Sequence, residues 1–150
     1  FICDAAKGYV AVRGVNWIFA EPMVEYYILA GSLAVIGHYK PLWLGFKGGK
    51  AVATSFGVLL GLLPFLLVTT ALLIFVVVLL STAYVSVASM SASWAAAAVK
   101  IFFGGGFNQQ NYPITLFVIG IALLIMIAHK DNIVRLKQGK ESKIKLPWFK

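Results

Sequence analysis

Charged side chains are scarce in this sequence, and acidic ones are the scarcest. Asp, Glu, Lys and Arg make up 12% of the 150 residues, and Asp and Glu together number only 5. A soluble domain carries about 25% charged residues, so this composition excludes an ordinary soluble fold. Hydrophobic residues make up 61% of the chain, and its mean hydropathy is +0.89. We therefore predict an all-α, polytopic integral membrane helix bundle, with one domain over residues 1–150.

Cysteine, which forms disulfides, is nearly absent, and so is histidine, which together with cysteine binds most zinc ions in proteins. Cys3 is the single cysteine, and His38 and His129 are the two histidines. One cysteine forms no internal disulfide, and no zinc-binding spacing exists. The sequence therefore predicts neither a metal nor a cofactor.

Basic residues outnumber acidic ones, and their positions argue against a nucleic-acid partner. Seven of the 13 basic residues lie between Lys130 and Lys150, and no RNA- or DNA-binding motif accompanies them. A basic tail after an apolar helix marks the cytoplasmic side of a membrane and attracts anionic lipid headgroups. We expect membrane lipids as partners and no nucleic acid, and the oligomeric state stays open.

Long apolar runs predict about six transmembrane helices. The candidate segments are 8–20, 23–39, 51–63, 65–85, 88–103 and 114–128. Pro64 and the small, polar segment 86–93 supply the breaks in the longest run, and a glycine-rich loop, 104–113, precedes the last helix. Since the chain opens on Phe1, without methionine, signal peptide or complete first span, we expect a fragment that lacks its N-terminal helix.

Lysines and arginines predict which ends of the spans are cytoplasmic. The loop 40–50 holds three of them and the tail after residue 129 holds seven. Two segments on one side of a membrane need an even number of spans between them, and the breaks above supply four. Lys100 then falls near the outer face, where a lysine snorkels to water.

The first polar cluster combines glycines with lysines between two apolar runs. Gly48 and Gly49 lie between Lys47 and Lys50, and a helix is predicted to begin directly afterwards. Glycines let backbone N–H groups converge on an anion, and a helix N-terminus adds unpaired amides. A Walker A loop is excluded, since Ala51 stands where that motif has its hydroxyl. The loop is either a phosphate site or a positively charged anchor with a glycine turn.

The second polar cluster begins where the last apolar run ends. His129, Asn132 and Arg135 follow one another at a spacing of three, which places them on one stripe of a helix. A histidine there acts as a base or a donor, an asparagine orients a substrate oxygen, and an arginine clamps a phosphate. A basic end to a membrane span gives the same pattern without a function, so both readings stay open.

Together these clusters resemble two signatures of the PlsY family, the bacterial acyl-phosphate:glycerol-3-phosphate acyltransferases. The first resembles G-H-x-x-P-x-[FW]-x-x-F-x-G-G-K-G-V-A-T, through Gly37, His38, Pro41, Trp43, Phe46, Gly48, Gly49, Lys50, Val52, Ala53 and Thr54. The second resembles H-x-x-N-I-x-R-L-x-x-G-x-E, through His129, Asn132, Ile133, Arg135, Leu136, Gly139 and Glu141. Shorter matches are Asp4, Lys7 and Gly8, and then Tyr84, Ser86 and Ser89.

The chain departs from the family pattern at three places. The family's first signature, around G-S-G-N-x-G-A-T-N, is expected before Phe1 and is absent. Ala51 replaces the last glycine of G-G-K-G, and Ala83 stands where the family has an arginine. The missing signature implies that part of the site lies outside this chain.

The resemblance implies a membrane enzyme that moves an acyl group from acyl phosphate to the 1-hydroxyl of glycerol 3-phosphate, giving lysophosphatidic acid and phosphate. It implies the bacterial plasma membrane as location, with the site on the cytoplasmic face. The implied catalytic residues are His129 and Asn132, and the proton acceptor is either His129 or the substrate's own phosphate. Phosphate binding falls to Lys47, Gly48, Gly49, Lys50 and Arg135, with support from Gly37, His38, Thr54 and Glu141. The alternatives are a small anion transporter and an inactive fragment.

Overall fold

The computed structural model describes residues 1–42, 45–46 and 48–145. In this part of the chain the regular structure is helical and contains no β-strand, as the composition predicts. The helices are α1 (Ile2–Arg13), α2 (Val15–Ile18), α3 (Val24–Tyr39), α4 (Val52–Leu62), α5 (Phe65–Thr82), α6 (Val85–Phe103), α7 (Tyr112–Ala128) and α8 (Lys130–Lys137).

A proline and a left-handed residue set the ends of the central helices. Pro64 separates α4 from α5, because a proline ring and its missing N–H interrupt a helix. Ala83, at φ 60°, closes α5 in the left-handed conformation, and α6 begins two residues later. The predicted break at Pro64 and the predicted glycine-rich loop before α7 are both confirmed.

The predicted division of residues 51–103 into three helices is confirmed, but the second break lies at residues 83–84 rather than within segment 86–93. Helix α6 runs through this segment without interruption. The hydroxyls of Ser89 and Ser93 donate to the carbonyl oxygens of Val85 and Met90 in the same helix, each at 2.8 Å. Serines that bond back to their own helix need no break, and their small side chains let α6 pack closely against α5.

Two of the described helices, α5 and α6, are long and apolar enough to cross a membrane. A third span is reached if α7 and α8, which meet at an angle of 55°, count as one. The expected number of about six spans is therefore not confirmed. Helix α5 leaves large apolar side chains exposed, among them Leu66, Leu73 and Val77, and such a surface suits contact with lipid tails.

Helices α1 and α4 cross at a distance that only glycine permits. A Cβ atom at Gly8 would collide with the carbonyl oxygen of Thr54, and one at Gly57 would collide with the carbonyl oxygen of Ala5. Close crossings of this kind are typical of membrane helices. This contact places the N-terminal end of α4 beside the first turn of α1.

Lys100 does not snorkel to water as predicted. Its side chain is buried and donates to the carbonyl oxygen of Gly104 and, at 3.0 Å, to Oδ1 of Asn111. The ammonium group therefore closes the C-terminal end of its own helix, where unpaired carbonyl oxygens and the helix dipole favour a cation.

The chain turns at His129, and the tail beyond α8 folds back onto the bundle. His129 ends α7 and begins α8. Gly139 takes up a left-handed φ of 66°, and the Ile144 amide then donates to the carbonyl oxygen of Ala83 at 2.9 Å. This return brings Glu141 over the start of α6.

Candidate functional site

Five of the eleven predicted site residues line one polar cavity of about 440 Å³, within the usual range of about 300–1,000 Å³ for ligand sites. It lies where the N-terminal ends of α4 and α6 meet the end of α7, the start of α8 and the returning tail. We call it the polar cavity, and its principal lining residues are His38, Lys50, Ser86, His129, Asn132 and Glu141.

Glu141 is the centre of the hydrogen-bond network in this cavity. Its Oε1 accepts from Asn132 Nδ2 at 2.6 Å and from Ser86 Oγ at 2.7 Å. Its Oε2 accepts from Arg135 Nε at 2.8 Å. The side chain of Glu141, which is 6% exposed, thereby joins three elements: α6, α8 and the tail.

These donors keep Glu141 ionised. The hydrogen bond from Asn132, with those from Ser86 and Arg135 and the arginine charge, lowers the pKa of Glu141 from 4.5 to about 2, although burial opposes the shift. Because a carboxylate only accepts hydrogen bonds, the amide of Asn132 orients its Nδ2 donor towards Glu141. The carbonyl branch of Asn132 is thereby directed elsewhere and can accept from a substrate hydroxyl.

His129 is held in one orientation by its own helix. The side chain is 2% exposed, and its Nδ1 lies 2.8 Å from the carbonyl oxygen of Ile125. Since a carbonyl oxygen only accepts, Nδ1 carries the proton and donates. In neutral His129, Nε2 therefore carries an unprotonated lone pair, as a general base requires.

Lys50 and the beginning of α4 supply the positive side of the cavity. Lys50, Ala51, Val52 and Ala53 all line it. The first backbone amides of a helix have no partner within that helix, so an anion placed here meets both those N–H groups and the lysine charge. Ala51 is buried and precedes α4 at φ 57°, a left-handed conformation that costs an alanine about 1–2 kcal/mol.

The two glycines of the loop allow it to pack against the end of α3. A Cβ atom at Gly48 would collide with the carbonyl oxygens of His38 and Tyr39, and one at Gly49 would collide with Nε2 of His38. The Gly49 amide donates to the His38 carbonyl oxygen at 3.2 Å. In this structure the amide of Gly49 is therefore used within the protein, and the contact fixes where Lys50 lies.

A second small network stands at the mouth of the cavity. Lys7 Nζ donates to Asp4 Oδ1 at 2.7 Å and to His38 Nδ1 at 2.6 Å. The hydrogen bond from Lys7 lowers the pKa of Asp4. Asp4 and His38 both line the cavity, and the network joins α1 to the end of α3.

An apolar cavity of about 90 Å³ adjoins the polar one between α4, α5, α6 and α7. Phe1, Val52, Phe75 and Ser89 line both cavities. A molecule with a charged end and an apolar end can therefore occupy both cavities at once.

The structure unites five of the predicted site residues at the polar cavity: His38, Lys50, His129, Asn132 and Glu141. Arg135 lies behind Glu141 and is half exposed. The remaining predicted residues do not line the cavity, and they are Gly37, Gly48, Gly49 and Thr54, the last of which is buried at the crossing with α1. Lys47 lies outside the described residues.

Sequence reasoning assigned neither Ser86 nor Asp4 to the site, although both line the cavity. Ser86 stands 55 positions from Glu141 in the chain, so local spacing could not reveal that the two side chains meet. Its place in a short family match was the one available signal. Among residues 1–42, 45–46 and 48–145, no group of three or more His, Cys, Asp or Glu side chains could hold a metal ion.

Comparison with known proteins places this geometry in context. The glycerol-3-phosphate acyltransferase family model matches residues 1–139. The glycerol-3-phosphate acyltransferase of Prochlorococcus marinus (strain MIT 9215) is 40% identical over 144 residues, which are 96% of this chain and 70% of that protein. The enzyme of the same name from Staphylococcus saprophyticus is 38% identical over 148 residues, covering 95% of this chain and 70% of the relative.

Two solved structures are similar to this chain in fold as well as in sequence. The crystal structure of PlsY, an integral membrane glycerol 3-phosphate acyltransferase, in its glycerol 3-phosphate form, superposes with a TM-score of 0.81 at 30% identity. The match covers 96% of this chain and 68% of that one. The lysophosphatidic acid form of the same protein gives the same TM-score and identity, with 96% and 70% covered.

Proposed function

Because this chain belongs to the glycerol-3-phosphate acyltransferase family, we propose that it transfers a fatty acyl group from acyl phosphate to the 1-hydroxyl of glycerol 3-phosphate. The products are lysophosphatidic acid and inorganic phosphate. The observation that carries the proposal is the junction of the polar and apolar cavities, which share Val52 and Ser89. Acyl phosphate has a matching form, with a dianionic phosphate joined through one carbonyl group to an apolar chain.

The phosphate end of the donor is assigned to the start of α4. Lys50 supplies a cation there, and the first amides of the helix supply donors. The acyl chain then enters the apolar cavity beside Val52 and continues along the exposed apolar surface of α5.

The acceptor is assigned to the opposite wall, at His129 and Asn132. Asn132, held by Glu141, accepts from a hydroxyl of glycerol 3-phosphate. His129 faces the same cavity with Nε2 unprotonated. The oxygen of the 1-hydroxyl attacks the acyl carbon, the bond from that carbon to the phosphate oxygen breaks, and phosphate leaves with the bonding electron pair.

The hydroxyl proton goes either to His129 or to a phosphate oxygen of a substrate. Acyl phosphate is an activated mixed anhydride, so the reaction needs no covalent enzyme intermediate. Positioning of the two substrates and stabilisation of charge supply the rate enhancement.

The location follows from the same assignments. We place the protein in the bacterial plasma membrane with the polar cavity on the cytoplasmic face, where soluble glycerol 3-phosphate is available. The basic residues of α8 and the tail, among them Lys130, Arg135 and Lys140, support this orientation.

The test is acyl transfer by the purified protein in detergent or liposomes. Radiolabelled glycerol 3-phosphate is supplied with palmitoyl phosphate or, in a parallel reaction, with palmitoyl-CoA. We expect labelled lysophosphatidic acid and a matching amount of inorganic phosphate with the first donor only. Transfer from palmitoyl-CoA alone would refute the donor assignment, and uptake of glycerol 3-phosphate into liposomes without any product would favour an anion transporter.

A further inference from the structure

One buried hydroxyl in the apolar cavity has no hydrogen-bond partner. Ser55 is 1% exposed, and its Oγ meets no donor or acceptor in the described part of the chain. Buried polar groups are nearly always paired, and an unpaired one lowers stability. Since Ser55 also lines the apolar cavity, a molecule that binds there can supply the missing partner.

The neighbouring serines of the same cavity differ in this respect. Ser89 and Ser93 also line the apolar cavity, but each donates to a carbonyl oxygen of its own helix. Ser55 makes no such bond, although the carbonyl oxygen of Ala51 is four residues earlier and accepts from the Ser55 backbone amide at 2.8 Å.

The position of Ser55 defines which part of a ligand it can reach. Val52 lines both cavities and lies three residues before Ser55, on the same face of α4. At a rise of about 1.5 Å per residue, Ser55 is about 4.5 Å further along the helix than Val52. In the proposed binding mode the phosphate lies at the start of α4 and the hydrocarbon begins in the apolar cavity, so the carbonyl group between them falls near Ser55.

We propose that Ser55 is a catalytic residue whose hydroxyl donates a hydrogen bond to the carbonyl oxygen of the acyl phosphate. This inference rests on the proposed function. As the glycerol hydroxyl attacks, negative charge accumulates on that oxygen, and a donor already in place stabilises it more in the transition state than in the ground state. The hydroxyl proton of Ser55 stays on Oγ throughout, and no bond to Ser55 forms or breaks.

The kinetic test uses Ser55→Ala, which removes the donor and little else. We expect kcat with palmitoyl phosphate to fall on the order of 100-fold, while KM for glycerol 3-phosphate stays at its wild-type value. Ser93→Ala removes a hydroxyl of the same cavity that is already paired, and its kcat falls much less. Equal kcat values for Ser55→Ala and the wild-type protein would overturn the inference.

A stability measurement separates this role from a structural one. Because the Ser55 hydroxyl has no partner within the described protein, Ser55→Ala leaves the thermal midpoint of the substrate-free protein unchanged or raises it. A lowered midpoint, in parallel with lost activity, would assign Ser55 to the structure instead. If Ser55→Ala does not fold, Ser55→Cys takes its place, with a weaker donor and a smaller fall in kcat.

The hydrogen bond itself can be observed by infrared spectroscopy. The probe is hexadecanoyl phosphonate labelled with ¹³C at its carbonyl, an unreactive analogue of the donor. We expect the labelled carbonyl band to lie at lower frequency in the wild-type protein than in Ser55→Ala. Identical bands would mean that Ser55 binds at most a water molecule. Absence of acyl transfer by the wild-type protein refutes the proposed function instead, so the two failures are distinguishable.

Discussion

Replacement of Glu141 by alanine removes the acceptor of three hydrogen bonds at once. Two donors, on Ser86 and Asn132, are buried, and the third, on Arg135, is half exposed. Hydrogen bonds to a charged group contribute about 1.5–3 kcal/mol each, whereas a half-exposed ion pair contributes only about 0.2–1 kcal/mol. We therefore expect a loss of about 3–7 kcal/mol in stability, the sum for two buried hydrogen bonds and one half-exposed ion pair.

The same change should impair the acceptor side of the reaction. Asn132 loses the bond that fixes its amide, and a displacement of about 1 Å at a positioning group costs on the order of 100-fold in rate. The assay compares kcat/KM for glycerol 3-phosphate and the apparent Tm in detergent for Glu141→Ala and the wild-type protein. Glu25→Ala, at an exposed carboxylate on α3, serves as the matched control and should change stability by no more than about 0.5 kcal/mol.

Two results would refute this reasoning. A Tm and kcat/KM at the values of the control would show that Glu141 does not hold the cavity together. A lowered Tm with unchanged kcat/KM would show that Glu141 stabilises the fold without positioning Asn132.

Three further predictions concern single features of the structure. Lys50→Ala should raise KM for acyl phosphate by about 10-fold or more, since the lysine charge is lost from the proposed phosphate site; an unchanged KM counts against that site. Because the pKa of Glu141 is lowered from 4.5 to about 2 in the folded protein, its contribution to stability is present above pH 4.5 and is lost as the pH falls towards 2. The Tm of the wild-type protein should therefore drop in this range, and that of Glu141→Gln should drop less; equal slopes of Tm against pH would contradict the assignment. Gly57→Ala should lower Tm strongly, because its Cβ would collide with the Ala5 carbonyl oxygen, whereas Gly120→Ala, with open space around it, should keep Tm or raise it.

The sequence predicted the helices more reliably than it predicted their ends or the number of membrane spans. Pro64 and the glycine loop are local signals, and both gave the correct boundary. The serines of α6 suggested a helix break within their own segment. A sequence pattern does not show that such hydroxyls bond back to carbonyl oxygens of their own helix. Ala83 ends α5 through a backbone conformation that alanine seldom adopts, so its type gave no warning.

For the site, the sequence predicted residue types better than contacts. His129 and Asn132 line the same cavity, and one short segment of the sequence carries both; their catalytic roles stay a prediction. The bond from Ser86 to Glu141 depends on the tail returning over α6, which no local pattern encodes. The unpaired hydroxyl of Ser55 could be recognised only once its surroundings were known.

The central claim is that acyl transfer occurs at the polar cavity, and His129→Ala tests it most directly. The measurement is the initial rate of lysophosphatidic acid formation from palmitoyl phosphate and radiolabelled glycerol 3-phosphate, with the thermal midpoint recorded to confirm folding. We expect a folded variant whose kcat is lower by about 100-fold or more. A folded His129→Ala variant with the wild-type kcat would contradict the account.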